Sequence, residues 1–447
     1  MNLDAMLADL EELVSCESFS ADHQAVARSA RLVADQGFRR LGAHPEAIVI
    51  DGVTHLRWTF GTPRVLVIGH HDTVWPIGTL ARHPWSLVDG IARGPGVFDM
   101  KAGLVQAFHA LAALPSLAGL CVLVTGDEEV GSPSSRALIE ESARGCSAAF
   151  VLEASADGGA LKTARKGTST YTLTVYGKAA HAGLEPDKGA NAGIELAHQI
   201  LAVAALADQV NGGPCGVTAA KTSPAAAGGS PLPAARPGAA VDDAPGIAAP
   251  GGPGGLGPTT VTPTVLSAGT TVNTVPALAR VEVDVRVPTL AAQQRVDELM
   301  KALSPRMAGT RLEVGGGPNR PPMEGVSSAR LFELARRIAK DLGMEPLRGV
   351  AVGGASDGNF TAGVGCPTLD GLGAVGGGAH AAHEHVVVAE MPGRTRLLTG
   401  LVASVLAGGA SGSAHESSGP AHESSAPWGE TPASRGEAAA PSGVDDR

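Results

Sequence analysis

Apolar and polar positions along the chain follow two different periods. From 65 to 152, short runs rich in Val, Leu and Ile at 65–69, 120–126 and 148–152 alternate with amphipathic stretches at about 101–113 and 133–143. Strands separated by helical patterns predict βαβ units and a sheet with parallel strands. The second of those helices has an apparent start signal, with Ser132 as N-cap and Pro133 at the first helical position. From 168 the pattern changes to strict alternation, "TSTYTLTVYG", followed by a helical stretch near 189–206 and alternating runs at about 260–268 and 277–287. Alternation of this kind predicts a one-sided sheet, a separate α+β layer. The helix and strand rhythm then resumes, with helices near 327–342 and 391–406.

The expected organisation is therefore a mixed, mostly parallel α/β sheet with helices on both faces, made of 1–163 and 290–408, with a smaller α+β unit at 164–289 inserted into it. Two segments stand apart. Residues 211–259 are almost entirely Ala, Gly, Pro and Ser with a few polar residues, and the tail from 409 repeats "AHESS". Such compositions bury too little apolar surface to offset chain ordering, and both segments are expected to be disordered.

Composition excludes several classes. No apolar run approaches the roughly 18 residues that span a bilayer. The opening "MNLDAMLADLEELV" is acidic and amphipathic, whereas a secretory leader opens with basic residues, so a cytoplasmic protein is expected. Five scattered cysteines without a CxxC pair predict reduced thiols. A net charge of -10 disfavours a nucleic-acid partner.

Titratable residues collect where such a sheet places its ligand site, beyond the carboxyl ends of the strands. His70 and Asp72 follow the strand 65–69 two residues apart, on one face of an extended backbone. Asp99 lies in a Gly/Pro-bent loop before a helix, Glu128 and Glu129 follow 120–126, Glu153 follows 148–152, and His380 follows a strand-like run near 367–372. Each residue alone has a structural explanation. Together, several carboxylates converging on one point repel unless a cation neutralises them, and imidazole with carboxylate suits zinc.

The order "GHHDTV", "GPGVFDMKAG", "TGDEEVGS", "LEAS", "RKG", "GKAAHAG", "VEVDVRV", "GGGAHAAHE" resembles the di-zinc metallopeptidases that include glutamate carboxypeptidase, aminoacylase, acetylornithine deacetylase and succinyl-diaminopimelate desuccinylase. The likeness is greatest to the glutamate carboxypeptidase branch. It implies a zinc-peptidase-like catalytic domain, an inserted lid and dimerisation domain, and two Zn2+ ions, with Co2+ or Mn2+ as possible substitutes. His70, Asp99 and Glu153 would hold one ion and Asp99, Glu129 and His380 the other. Asp72 would orient the His70 ring by accepting its other N–H. Glu128 would be the general base, and His181 of a partner subunit would stabilise the oxyanion, which implies a homodimer. Arg286 would grip the substrate carboxylate, with Asn273, Gly354 and Ser356 lining the pocket. His71, His383 and His385 have no required role.

The implied reaction is hydrolysis of the amide bond of N-acyl amino acids or small peptides with a free C-terminal carboxylate; deacylation of the acetylornithine or succinyl-diaminopimelate type is the alternative. Two other readings stay open. "GASDG" fits G-x-S-x-G, with Ser356 as nucleophile and Asp370 and His380 following in order. A non-catalytic dimer that binds zinc or amino-acid conjugates is the other.

Overall fold

The computed structural model describes residues 1–212 and 255–408. The expectation of disorder for the Ala/Gly/Pro-rich insert and the tail falls largely outside these residues.

The main sheet has six strands in the order Glu46–Ile50, Val53–Phe60, Leu120–Thr125, Val65–His70, Ala148–Val151, Thr368–Leu369. The last four run parallel, and the first two add an antiparallel edge. All residues of the three central strands are buried, so they read as unbroken apolar runs rather than alternation. Their side chains divide between two faces. Val65, Val67, Val122 and Val124 pack beneath the helices Leu3–Val14, His23–Leu41, Ala102–Ala112 and Met391–Gly408, while Leu66, Ile68, Cys121 and Leu123 face Arg136–Ala143 and Gly358–Gly363.

The helix Ala102–Ala112 approaches the sheet at Gly103, where an added Cβ would lie 2.3 Å from the Leu152 carbonyl oxygen. This contact sets the Asp99 loop against the residue before Glu153. Gly103→Ala is expected to cost about 1–3 kcal/mol of stability by overpacking and to lower metal content. Thermal unfolding and metal analysis check this, and wild-type values in both would contradict the packing argument.

A second sheet is antiparallel, in the order Thr260–Ala268, Leu278–Val287, Gly167–Tyr176, Arg311–Arg320. Tyr171, Leu173, Val175, Val281, Val283 and Val285 form its apolar face beneath Ala192–Ala204, Leu206–Val210 and Leu290–Lys301. Val296 and Met300 of the last helix sit in this same core. The inserted layer thus extends past 289 to Arg320. The boundary was misplaced because "RLEVGGGPNR" lacks the apolar alternation that marks its partners.

The helix expected from Pro133 begins at Arg136 instead. Ser132 takes φ +58 and hydrogen-bonds Asp357, while Asp127 accepts from the backbone and hydroxyl groups of Ser134 and Ser135. The Ser/Pro stretch is a turn pinned by two buried acids.

A small sheet bears directly on the site. His385–Val387 pairs with Ile91–Arg93, which folds the His380 loop over the loop that carries Asp99.

Candidate metal centre

The parallel strands end at one sheet edge, and the titratable residues gather there. His70 closes its own strand, Glu128 and Glu129 occupy a single helical turn after Leu120–Thr125, and Glu153 follows Ala148–Val151. His70 Nε2 lies 3.4 Å from Asp99 Oδ1 and 3.5 Å from Glu153 Oε1. His380 Nε2 lies 3.2 Å from Asp99 Oδ2 and 3.2 Å from Glu129 Oε2. The two oxygens of Asp99 therefore face different donor sets.

Those spacings identify what the cluster can hold. Ligands about 2.0–2.2 Å from a tetrahedral ion lie about 3.3–3.6 Å from each other. His70 Nε2, Asp99 Oδ1 and Glu129 Oε1 are buried with no hydrogen-bond partner. Buried atoms of this kind are costly unless something else satisfies them. A pair of divalent cations sharing Asp99 satisfies all three, so the residues fit the group.

The electrostatics agree. Burial pushes the Asp99 carboxyl up, but the His380 and His70 imidazoles beside it outweigh that and hold the group well below the usual carboxylate range. Asp99 and Glu129 push the His380 imidazole up to about 10. Burial alone would lower His70, yet Asp72, Asp99 and Glu153 hold it well above its ordinary value. The acids demand positive charge wherever they can obtain it.

Asp72 ties the elements together. His70 Nδ1 lies 3.0 Å from the Asp72 carbonyl oxygen and 3.4 Å from its carboxylate, so backbone and side chain both orient the ring. The carboxylate accepts from Ser20 Oγ at 2.7 Å and from the backbone N–H groups of Glu128 and Glu129 at 3.2 Å.

Glu128 shares a group of close donor atoms with His70 and Glu153. One of its oxygens is already engaged, since Arg320 Nη2 forms an ion pair with Oε1 at 3.0 Å. Burial raises the Glu128 carboxyl well above its ordinary value despite that guanidinium. A carboxylate with one oxygen anchored and a raised affinity for protons is suited to moving a proton rather than holding an ion.

Four contributors were missed by sequence reasoning. Arg320 lies in the strand that escaped detection. Arg165 and Lys162 stand 3.6 and 3.9 Å from Glu153; Arg165 belongs to the quoted "RKG". Glu384, four residues after His380, accepts from the backbone N–H groups of Gly96, Phe98 and Asp99 and from Trp75 Nε1, at 2.8–3.0 Å. It fixes the loop that carries Asp99, and its place inside "GGGAHAAHE" was the available signal.

Other predicted residues lie elsewhere. His181 is exposed on the inserted layer, bridged through its backbone to Thr274, and its Nδ1 accepts from the N–H groups of Gly183 and Leu184. That leaves Nε2 to carry the proton in the neutral ring. Asn273 is exposed in the neighbouring loop, its carbonyl accepting from Ala182 N–H. Arg286 pairs with Asp284 at 2.9 Å and is 38% exposed. Burial and the charge of Arg286 together lower the neighbouring Lys166 amine, so two cations sit close together there. Gly354 is exposed and offers its carbonyl to Arg165.

Ser356 corrects the expectation of a pocket-lining residue. It is fully buried and its Oγ donates to Asp370 at 2.6 Å, while Asp370 accepts from Arg165 at 2.7 Å. A helix does follow it, at Gly358–Gly363, but no histidine hydrogen-bonds Ser356 or Asp370 among the described residues. The Ser-His-Asp reading is thereby removed. The His71 ring donates from Nε2 to the Thr54 carbonyl, and burial lowers it to about 4, so it is a neutral structural residue.

A doubly wound sheet with a cation-demanding cluster at its carboxyl edge and a buried carboxylate beside it defines a metallohydrolase. The chain belongs to peptidase family M20/M25/M40, whose sequence model matches residues 66–404. It is similar to carboxypeptidase G2 of Pseudomonas sp. (strain RS-16), 25% identical over 422 residues that cover 90% of each chain. It is also similar to succinyl-diaminopimelate desuccinylase of Anaplasma marginale (strain Florida), 34% identical over 134 residues, 29% of this chain and 35% of that one. The fold matches the M20 family metallo-carboxypeptidase Sso-CP2 from Sulfolobus solfataricus with a TM-score of 0.66 and 15% identity, over 90% of this chain and 99% of that one.

Proposed function

We propose that the protein is a zinc-dependent, carboxypeptidase-like hydrolase that cleaves the amide bond of N-acyl amino acids or small peptides with a free C-terminal carboxylate. The observation that carries this reading is the pair of donor sets sharing Asp99 with Glu128 left over beside them. Likeness to carboxypeptidase G2 along nine-tenths of both chains supports the carboxypeptidase side.

His70, Asp99 and Glu153 hold one ion in this reading, and Asp99, Glu129 and His380 the other. Bound zinc supplies a water acidified to near pH 7 and a Lewis acid for the scissile carbonyl. The remaining work falls to side chains. The free oxygen of Glu128 accepts the proton of the attacking water and returns it to the leaving amine nitrogen. Arg286, with Lys166 beside it, receives the substrate carboxylate; a guanidinium fork suits that group. His181 Nε2–H of the partner subunit donates to the developing oxyanion, with Asn273 next to it.

A homodimer formed through the inserted layer follows from that last role. His181→Ala and Glu128→Ala proteins, each inactive, are expected to regain up to about a quarter of wild-type activity when mixed and allowed to exchange subunits, because one site in such a heterodimer has both groups. No recovery despite demonstrated exchange would count against a shared site. The free thiols of Cys16, Cys121, Cys146 and Cys366 support a cytoplasmic location. No helix among the described residues is long and apolar enough to cross a membrane.

The deacylase alternative draws on the partial match to succinyl-diaminopimelate desuccinylase. A panel of N-acyl amino acids, dipeptides and acyl-diamino acids, assayed before and after chelation and zinc restoration, decides between them. Preference for a free α-carboxylate over its amide supports the carboxypeptidase reading. Indifference to that group, or tight binding with no turnover by zinc-loaded protein, overturns it.

A further inference from the structure

The chain crosses between the main-sheet body and the inserted layer at two places, and each crossing carries a buried arginine that reaches a carboxylate of the site. Arg165 ends the strand Leu161–Arg165 just before the layer begins at Gly167, and Arg320 ends the layer's last strand. The crossings touch. Arg165 and Met323 exchange backbone hydrogen bonds at 2.9 and 3.0 Å, and a Cβ added at Gly167 would lie 2.9 Å from the Arg320 carbonyl oxygen.

A buried aspartate of the body holds each guanidinium from behind. Arg320 Nη2 lies 3.1 Å from Asp357 Oδ1 and 3.0 Å from Glu128 Oε1. Asp357 is 2% exposed and also accepts from the hydroxyls of Ser132 and Thr125. At the other crossing Arg165 Nε donates to Asp370 Oδ2 at 2.7 Å, while Arg165 Nη2, without a hydrogen bond of its own, stands 3.6 Å from Glu153 Oε2. Asp370 is fully buried and accepts as well from Ser356 Oγ at 2.6 Å and from the Gly371 N–H. Glu153 turns its other oxygen to His70. No hydrogen bond or ion pair joins either aspartate to His70, Asp99, Glu129, Glu153 or His380 among the described residues. Both therefore act on the site only through an arginine, whose planar fork carries the orientation set at one end to the other.

We propose that Asp357 and Asp370 are positioning residues: by anchoring Arg320 on Glu128 and Arg165 on Glu153, they hold the base and one ion-holding carboxylate in place and tie both to the seating of the inserted layer. The inference rests on the amide-hydrolase reading above. Asp357 serves the chemistry, and Asp370 serves the ion.

Zinc affinity, measured by competition with a chromophoric chelator, is read beside steady-state kinetics in excess zinc. Asp357→Asn is expected to lower kcat by about 10²-fold, the cost of misplacing a reacting group by about 1 Å, with KM and both zinc affinities within about threefold of wild type. Asp370→Asn is expected to weaken binding of one of the two zinc ions by about 10-fold to 100-fold, as loss of a partner behind a metal ligand does, with activity recovered in excess zinc. The two losses fall on different measurements. A variant that loses both together, as general destabilisation produces, or that keeps wild-type values in both, overturns the proposal. Where an asparagine variant does not fold, Ser132→Ala and Ser356→Ala carry the same comparison, since each removes one hydrogen bond to one of the aspartates. The same division, smaller in size, is expected, and its absence overturns the proposal. If the wild type hydrolyses no compound of the panel, the hydrolase reading itself fails. The zinc competition needs no substrate and still decides, with unchanged affinity in Asp370→Asn as the overturning result.

Discussion

Glu128→Gln is expected to lower turnover by about 10³-fold to 10⁴-fold, the upper range of general acid–base catalysis, with both zinc ions retained. Glutamine has the same shape and keeps an oxygen for the Arg320 guanidinium that now lies 3.0 Å from Oε1. What it loses is the ability to take a proton at the free oxygen. Because Glu128 belongs to neither proposed donor set and pairs with Arg320 instead, ion content and chemistry should come apart in this variant. Metal analysis beside steady-state kinetics checks this. Turnover within tenfold of wild type would remove Glu128 as the base, and loss of zinc would make it a ligand.

Asp99→Asn is expected to have a larger effect of a different kind. The carboxylate faces His70 with one oxygen and His380 with the other, so losing its charge weakens both donor sets at once. Turnover should drop by more than the ~10⁴-fold that a general base supplies, and metal content should fall with it. Stability gives an independent readout. Zinc at 100 times its Kd contributes about 2.7 kcal/mol per site to the folded state, so chelation should lower the melting temperature of the wild type and leave that of the variant unchanged. An equal response to chelator in both proteins would contradict a shared ligand.

Much of this cluster was legible in the sequence because the residues proposed as ligands follow strands. His70, Glu129 and Glu153 each stand at or just beyond an apolar run, and the α/β rhythm puts the carboxyl ends of those runs together. His380 and Asp99 were picked out by their places after a strand-like run and before a helix, and the resemblance alone implied that Asp99 is shared between two sets. The parts that escaped detection share a physical cause: they act through backbone contacts or lie in strands without alternation. Arg320 sits in a glycine-rich strand, and Glu384 works by collecting backbone N–H groups, a role that no residue spacing announces. Ser356 failed for the converse reason. A Gly-x-Ser-x-Gly string is short enough to arise where a serine merely bridges a buried aspartate. The extent of the inserted layer was underestimated because Arg311–Arg320 pairs along Gly167–Tyr176 by its backbone while its side chains are small or polar.

Anomalous diffraction at the zinc edge from crystals of the metal-loaded protein tests the central claim most directly. Two peaks about 3.5–4 Å apart are predicted, each about 2.0–2.2 Å from a different oxygen of Asp99, with His70 and Glu153 at one and His380 and Glu129 at the other. A single peak, or a pair that Asp99 does not bridge, would contradict it.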